Sequence, residues 1–187
     1  MLENYQYLPV GDYAIFYKEQ PPHATPTGLL LPGMRGNEET SLTPPYTGRF
    51  VLDGGEKEGY GVMDALSGYA LLSADSFNVT IAMDRKHITA SFSDDISLDC
   101  LTMENGYILI KDKERPKQSP AGLWLPDGAY QRIAEVVAVP DDCTDLKAGD
   151  VIVKPVGLST PVEIYGEKYE CIHRSRIFAK LGKEVGQ

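Results

Sequence analysis

The chain has 187 residues, with 18 Lys and Arg against 27 Asp and Glu for a net charge of −9. Hydrophobic residues make up 42% and charged ones 24%, a composition that can bury a core and need not be disordered. The acidic balance speaks against nucleic-acid binding, which rests on neutralising phosphates, and no apolar run approaches the ~18 residues of a membrane span.

The opening MLENYQYLPV is not expected to act as a secretion signal. Ile15-Phe16-Tyr17-Lys18 reads as a first strand, followed by the polar, proline-bearing EQPPHATPT and then Gly28-Leu29-Leu30-Leu31-Pro32. A long insert, GMRGNEETSLTPPYTG, leads to a strand at Arg49-Phe50-Val51-Leu52. The Gly-rich stretch Gly54 to Gly61 lacks phosphate-cradling spacing and is acidic, so a solvated turn is expected. Gly68 to Leu72, then Val79, Ile81 and Met83, then Ile88, Ala90 and Phe92 read as strands, the last two by apolar alternation. A short segment, Ile96-Ser97-Leu98, closes the first half.

The second half repeats the plan. Ile108-Leu109-Ile110-Lys111 is followed by DKERPKQSPA and Gly122-Leu123-Trp124-Leu125-Pro126, then by a strand from Ile133 to Val139. Gly149 to Val153 pairs with Gly68 to Leu72, and the spacing from Gly68 to Ile96 equals that from Gly149 to Ile177. In this gapless frame Val79, Ile81 and Met83 fall on Thr160, Val162 and Ile164, and Ile88, Ala90 and Phe92 on Tyr169, Cys171 and His173. Phe92 against His173 is the poor match. Short strands, regular turn signals and no sustained helical period predict an all-β protein of two domains, 1–101 and 102–187. Residues 1–100 carry a net charge of −8 and residues 101–187 only −1, so the two should face different surroundings.

Nothing in the sequence demands an enzyme. The patterns GxSxG, HExxH and GxxxxGK[ST] are missing. His23, His87 and His173 stand apart, each read as an exposed or half-buried side chain. Adjacent Asp94 and Asp95 in an extended segment point to opposite faces and read as solvated. Cys100, Cys143 and Cys171 have no paired spacing, which predicts reduced thiols, no disulfide framework and no metal site. The sequon Asn78-Val79-Thr80 is given no weight without a secreted context.

The second half, over about residues 105–181, resembles the co-chaperonin family with its GroES-like fold. The resemblance rests on the strand ending in Lys111, Gly122-Leu123-Trp124-Leu125-Pro126, Leu146-Lys147-Ala148-Gly149-Asp150-Val151-Ile152-Val153, and the closing Ile177-Phe178-Ala179-Lys180-Leu181. The first half resembles a diverged second copy, through Gly11-Asp12, Thr27-Gly28-Leu29-Leu30-Leu31-Pro32 and Asp94-Asp95-Ile96. The resemblance implies two tandem small irregular β-barrel domains that assemble into a ring or dome. It also implies a non-enzymatic lid for a chaperonin ring, without cofactor, cytoplasmic and homo-oligomeric. Gly28, Leu29, Leu30 and Leu31, with Gly122, Leu123, Trp124 and Leu125, would be the partner-binding residues. A polar loop that orders on binding keeps affinity per contact low, and several loops together add avidity.

A second reading stands beside that one. Glycine, three apolar residues and proline also fit an edge strand or a contact buried in an oligomer. On the same fold the chain would then be a structural assembly protein, such as a viral capsid decoration protein on a major capsid protein, located in the virion. Prolines 21, 22 and 26, which stiffen the first loop, favour that alternative. So does the short PDDCTDLKA after Val139, where the family has a long hairpin.

Overall fold

The computed structural model describes residues 6–19, 46–74, 78–113 and 132–181. Within them the chain forms β-strands and three short 3-10 turns, and no α-helix. The first sheet holds β1 (Tyr13–Glu19), β2 (Thr47–Leu52), β3 (Lys57–Met63), β4 (Tyr69–Ala74), β5 (Asn78–Asp84), β6 (Ile88–Phe92) and β7 (Leu101–Met103). The second holds β8 (Tyr107–Asp112), β9 (Arg132–Ala138), β10 (Val151–Lys154), β11 (Thr160–Ile164), β12 (Glu167–His173) and β13 (Ala179–Leu181).

The strand orders coincide. The first sheet runs β4-β5-β1-β2-β3-β6-β7 and the second β11-β12-β8-β9-β10-β13, so each strand from β1 to β6 has a counterpart from β8 to β13 at the same place. All pairings are antiparallel. Neither ladder closes on itself among the described residues.

This order corrects the frame expected from the sequence. β5 stands where β12 does, not where β11 does, and β6 corresponds to β13. Strand β5 ends at Asp84, whose carboxylate accepts the Lys86 N–H and caps the 3-10 turn Arg85–His87. Strand β12 ends at His173, whose side chain accepts the Ser175 N–H and caps Arg174–Arg176. His173 therefore answers to Asp84, which removes the poor match with Phe92. Alternation of period two looks alike in neighbouring strands of a meander, so the pattern alone could slip by a whole strand. The first strands are out by one residue as well: Tyr13 pairs with Asp84 and Tyr107 with His173. That aligns Ala14 and Phe16 with Ile108 and Ile110, all facing the cores of their own halves.

Among the described residues there are three cores. One lies within the first half, around Phe16, Phe50, Met63 and Met83, and one within the second, around Ile108, Ile110, Val136 and Ile152. The third spans both halves: Val62, Ala90, Phe92 and Met103 pack with Tyr107, Leu109, Val162, Ile164, Tyr169 and Cys171. Strand β8 is thus buried on both faces from Tyr107 to Ile110, which explains four consecutive apolar residues where a half-exposed strand would alternate. Between β9 and β10 the chain makes turns without a strand pair.

The Gly-rich stretch is only partly a turn. Asp53–Gly55 forms a 3-10 turn, but Gly59 and Gly61 lie in β3, where the Phe50 ring covers them. A Cβ on Gly61 would stand 2.4 Å from the Ala90 carbonyl oxygen and 2.8 Å from the Phe50 ring. Gly61→Ala should therefore destabilise the fold by about 1–3 kcal/mol through overpacking. Gly68→Ala, whose Cβ meets nothing within 4 Å, should stay within about 0.5 kcal/mol of the parent. Urea midpoints compare the two.

Candidate functional site at the loop bases and the seam

The expected partner-binding residues, Gly28 to Leu31 and Gly122 to Leu125, lie outside the described residues. What is described is the pair of hairpins that carry them. Residues 20–46 connect β1 to β2 and residues 113–131 connect β8 to β9, and both pairs are adjacent antiparallel strands. The two segments therefore leave corresponding strand pairs of the two sheets.

Each departure point is built around a buried lysine. Lys18, near the end of β1, is buried, and its ammonium lies 5.3 Å from the centre of the Tyr46 ring. Burial holds its pKa below the usual lysine value. In the second half Lys154, the last residue of β10, is 1% exposed. Its ammonium pairs with Asp112 at 2.9 Å and with Glu170, and Glu170 also accepts the Ser159 hydroxyl. Asp112 ends β8, where the chain departs. The Lys113 N–H donates to the Ile133 carbonyl at 3.0 Å, and the Lys113 ammonium pairs with Glu135 at 2.9 Å, closing the hairpin. Asp112 and Glu170 stay partly exposed, so the pairs add little net stability, but removing the carboxylates would strand the buried ammonium.

The second constellation joins the halves. Asp64 follows β3 and is 1% exposed. Its Oδ1 accepts the Leu66 N–H at 3.0 Å and the Thr160 hydroxyl at 3.2 Å. Its Oδ2 accepts the Tyr107 hydroxyl at 2.6 Å and an Arg176 N–H at 3.5 Å. Thr160 in turn accepts the Ala65 N–H at 2.8 Å. Three of the four donors to this carboxylate come from the second half. Burial alone would raise its pKa, but the hydrogen bonds from Tyr107, Leu66 and Thr160 and the Arg176 charge outweigh it and hold the carboxyl below its ordinary value. Burial, then Asp64, pushes the Tyr107 phenol above its ordinary range.

The link between the halves is a two-residue turn. Asn105 and Gly106 have φ of 51° and 76°, the left-handed pair of a type I′ turn, closed by the Tyr107 N–H to the Glu104 carbonyl at 2.9 Å. The Asn105 amide donates to the Ile88 carbonyl at 2.9 Å, and the Gly106 carbonyl accepts the Arg174 N–H at 3.0 Å. Further out, the Tyr165 hydroxyl donates to Asp95 at 2.7 Å. A cleft of about 840 Å³ opens on this seam, lined by Tyr60, Ile96, Val162, Tyr165 and Tyr169 among others.

Among the described residues no three His, Cys, Asp or Glu side chains converge on a metal site, and no helix is long and apolar enough to cross a membrane. The cysteines are unpaired, and burial pushes the Cys171 thiol up to about 12. Sequence reasoning passed over Asp64, Thr160, Arg176 and Lys154. Asn105-Gly106, a readable turn signal, was the one clue to the junction.

A family model described as the chaperonin 10 kDa subunit matches residues 101–181. A relative, the co-chaperonin GroES of Thermotoga maritima, is 35% identical over 80 residues, covering 87% of that protein and 40% of this chain. The chain belongs to the chaperonin 10 kDa subunit family. The match runs from β7 to β13 and so takes in the whole second sheet. Lys154, Tyr107, Thr160 and Arg176 lie inside it. Asp64 lies outside, so the seam joins the family-matched half to a half that the match leaves out.

The state of Asp64 predicts a pH dependence. Its carboxyl has a lower pKa folded than unfolded, so its stabilisation is complete above about pH 5 and is lost as pH falls through the folded value. The stability gap between the parent and Asp64→Asn should therefore narrow as pH falls from 5 towards 3. Urea unfolding at several pH values measures the gap; a constant gap would contradict the assignment.

Proposed function

We propose that the chain is a non-enzymatic tandem co-chaperonin that docks on a chaperonin ring and caps its folding cage. The family membership of the second half carries this reading. The shared strand order of the two sheets supports treating the halves as two copies of one lid domain, 1–101 and 102–187, with β7 carrying the first sheet past that division as far as Met103. On this reading Gly28, Leu29, Leu30 and Leu31 and Gly122, Leu123, Trp124 and Leu125 are the docking residues, offered from corresponding hairpins. The protein works as a cytoplasmic homo-oligomer, needs no cofactor, and leaves ATP to its partner.

Trp124 is the strongest candidate anchor, because a large aromatic side chain in a groove supplies much of a hot spot's energy. Two loops on one chain raise the effective concentration of the second once the first is bound.

The turns that replace a strand pair between β9 and β10 favour a second reading. Without a roofing hairpin, the same fold could serve as a structural subunit, such as a capsid decoration protein bound to a major capsid protein.

Size exclusion with a bacterial-type chaperonin, with and without ATP, separates the two. The lid reading expects nucleotide-dependent co-elution that is lost in Leu123→Gln/Trp124→Gln. Truncating a hot-spot side chain costs about 2 kcal/mol or more, so binding should weaken at least about thirtyfold while the far-ultraviolet spectrum stays unchanged. Full binding by the double variant would remove the second loop from the docking site. A stable oligomer that never co-elutes would support the structural reading.

A further inference from the structure

A shared apolar core holds the two halves together, but apolar contact is not directional. The ten residues that meet there supply the burial, while directional polar contacts set the angle at which the halves meet. The chain links them through the Asn105-Gly106 turn, which is held at the edge of the seam by Asn105 to the Ile88 carbonyl and by the Arg174 N–H to the Gly106 carbonyl, away from the centre of the apolar contact. Something has to select one arrangement.

Asp64 has the required properties. It is anchored in the first half by its own backbone: its N–H donates to the His87 carbonyl at 2.8 Å, and its carbonyl accepts the Ser67 N–H at 3.1 Å. Its carboxylate meets donors from three separate places in the second half: β8 at Tyr107, β11 at Thr160, and the turn after β12 at Arg176. Donors from three elements hold the carboxylate at one place on the second half, and its anchored backbone carries that constraint into the first. Thr160 adds a return contact by accepting the Ala65 N–H. Any rotation of the halves would leave a buried carboxylate short of donors, a far larger penalty than sliding one apolar surface over another.

We infer that Asp64 is an orientational latch: its contacts with Tyr107, Thr160 and Arg176 select one arrangement of the two halves from those the apolar seam would allow. The inference goes beyond the lid reading and does not depend on it. Its consequence is geometric. The β1–β2 and β8–β9 hairpins, and whatever their connecting segments bind, are presented at one fixed separation and angle.

The test measures that geometry directly. In a Cys100→Ser/Cys143→Ser background, with buried Cys171 kept, spin labels go on Ser73→Cys in β4 and Lys147→Cys before β10, both exposed. Pulsed dipolar spectroscopy then reads the distance between the halves. The parent should give one narrow distribution. Asp64→Asn should about double its width or add a second distance, and Thr160→Val, which keeps shape but loses the hydroxyl, should move it the same way. Lys154→Met, which breaks a buried polar cluster within one half, should leave the distribution unchanged. Should Asp64→Asn fail to fold, Thr160→Val and Tyr107→Phe decide. Folded seam variants that keep the parent distribution would overturn the latch, as would equal broadening by Lys154→Met.

Discussion

One buried carboxylate organises the joint between the two halves of this protein. Asp64 is almost wholly removed from water, a position that by itself disfavours its charge. Four donors reverse that preference, and three belong to the other half. A charge so placed can be tolerated only while its partners stay in reach, so the seam inherits the geometry of the carboxylate. The core around Leu109, Val162 and Tyr169 supplies the burial; Asp64 supplies the direction.

Buried polar clusters recur where the chain must hold a defined angle. Buried Lys154, held by the partly exposed Asp112 and Glu170, does so at the root of the β8–β9 connection. Such a charge is expensive to bury alone and restrictive once paired. The apolar cores supply most of the stabilisation.

Much of the fold was legible. Alternation at β5, β6, β11 and β12, with glycine and proline between the runs, marks an all-β chain, and the recurrence of one plan in both halves matches the shared strand order. The register was not legible, because a period of two repeats from strand to strand and carries no label for which strand is which. Capping chemistry carries that label: Asp84 and His173 each close a 3-10 turn at the end of their strand, although their side chains differ too much to align by type. Asp64 was invisible for another reason. Its partners Tyr107, Thr160 and Arg176 stand 43, 96 and 112 residues away, and an aspartate after an apolar strand reads as an ordinary turn residue. The loop triplets are a third case: the family resemblance singles them out, and they fall outside the described residues.

The account stands or falls on whether the halves form one cooperative body, and the amide of Ala65 reports on that most directly. Its N–H donates across the seam to the Thr160 hydroxyl, outside any strand ladder. If the halves part only when they unfold, native-state hydrogen exchange should find Ala65 opening with a free energy close to that of Ile108 and Ile110 in the core of β8. Exchange of Ala65 at the rate of an exposed turn amide, with β8 still protected, would show halves that part while each stays folded, and would contradict the account.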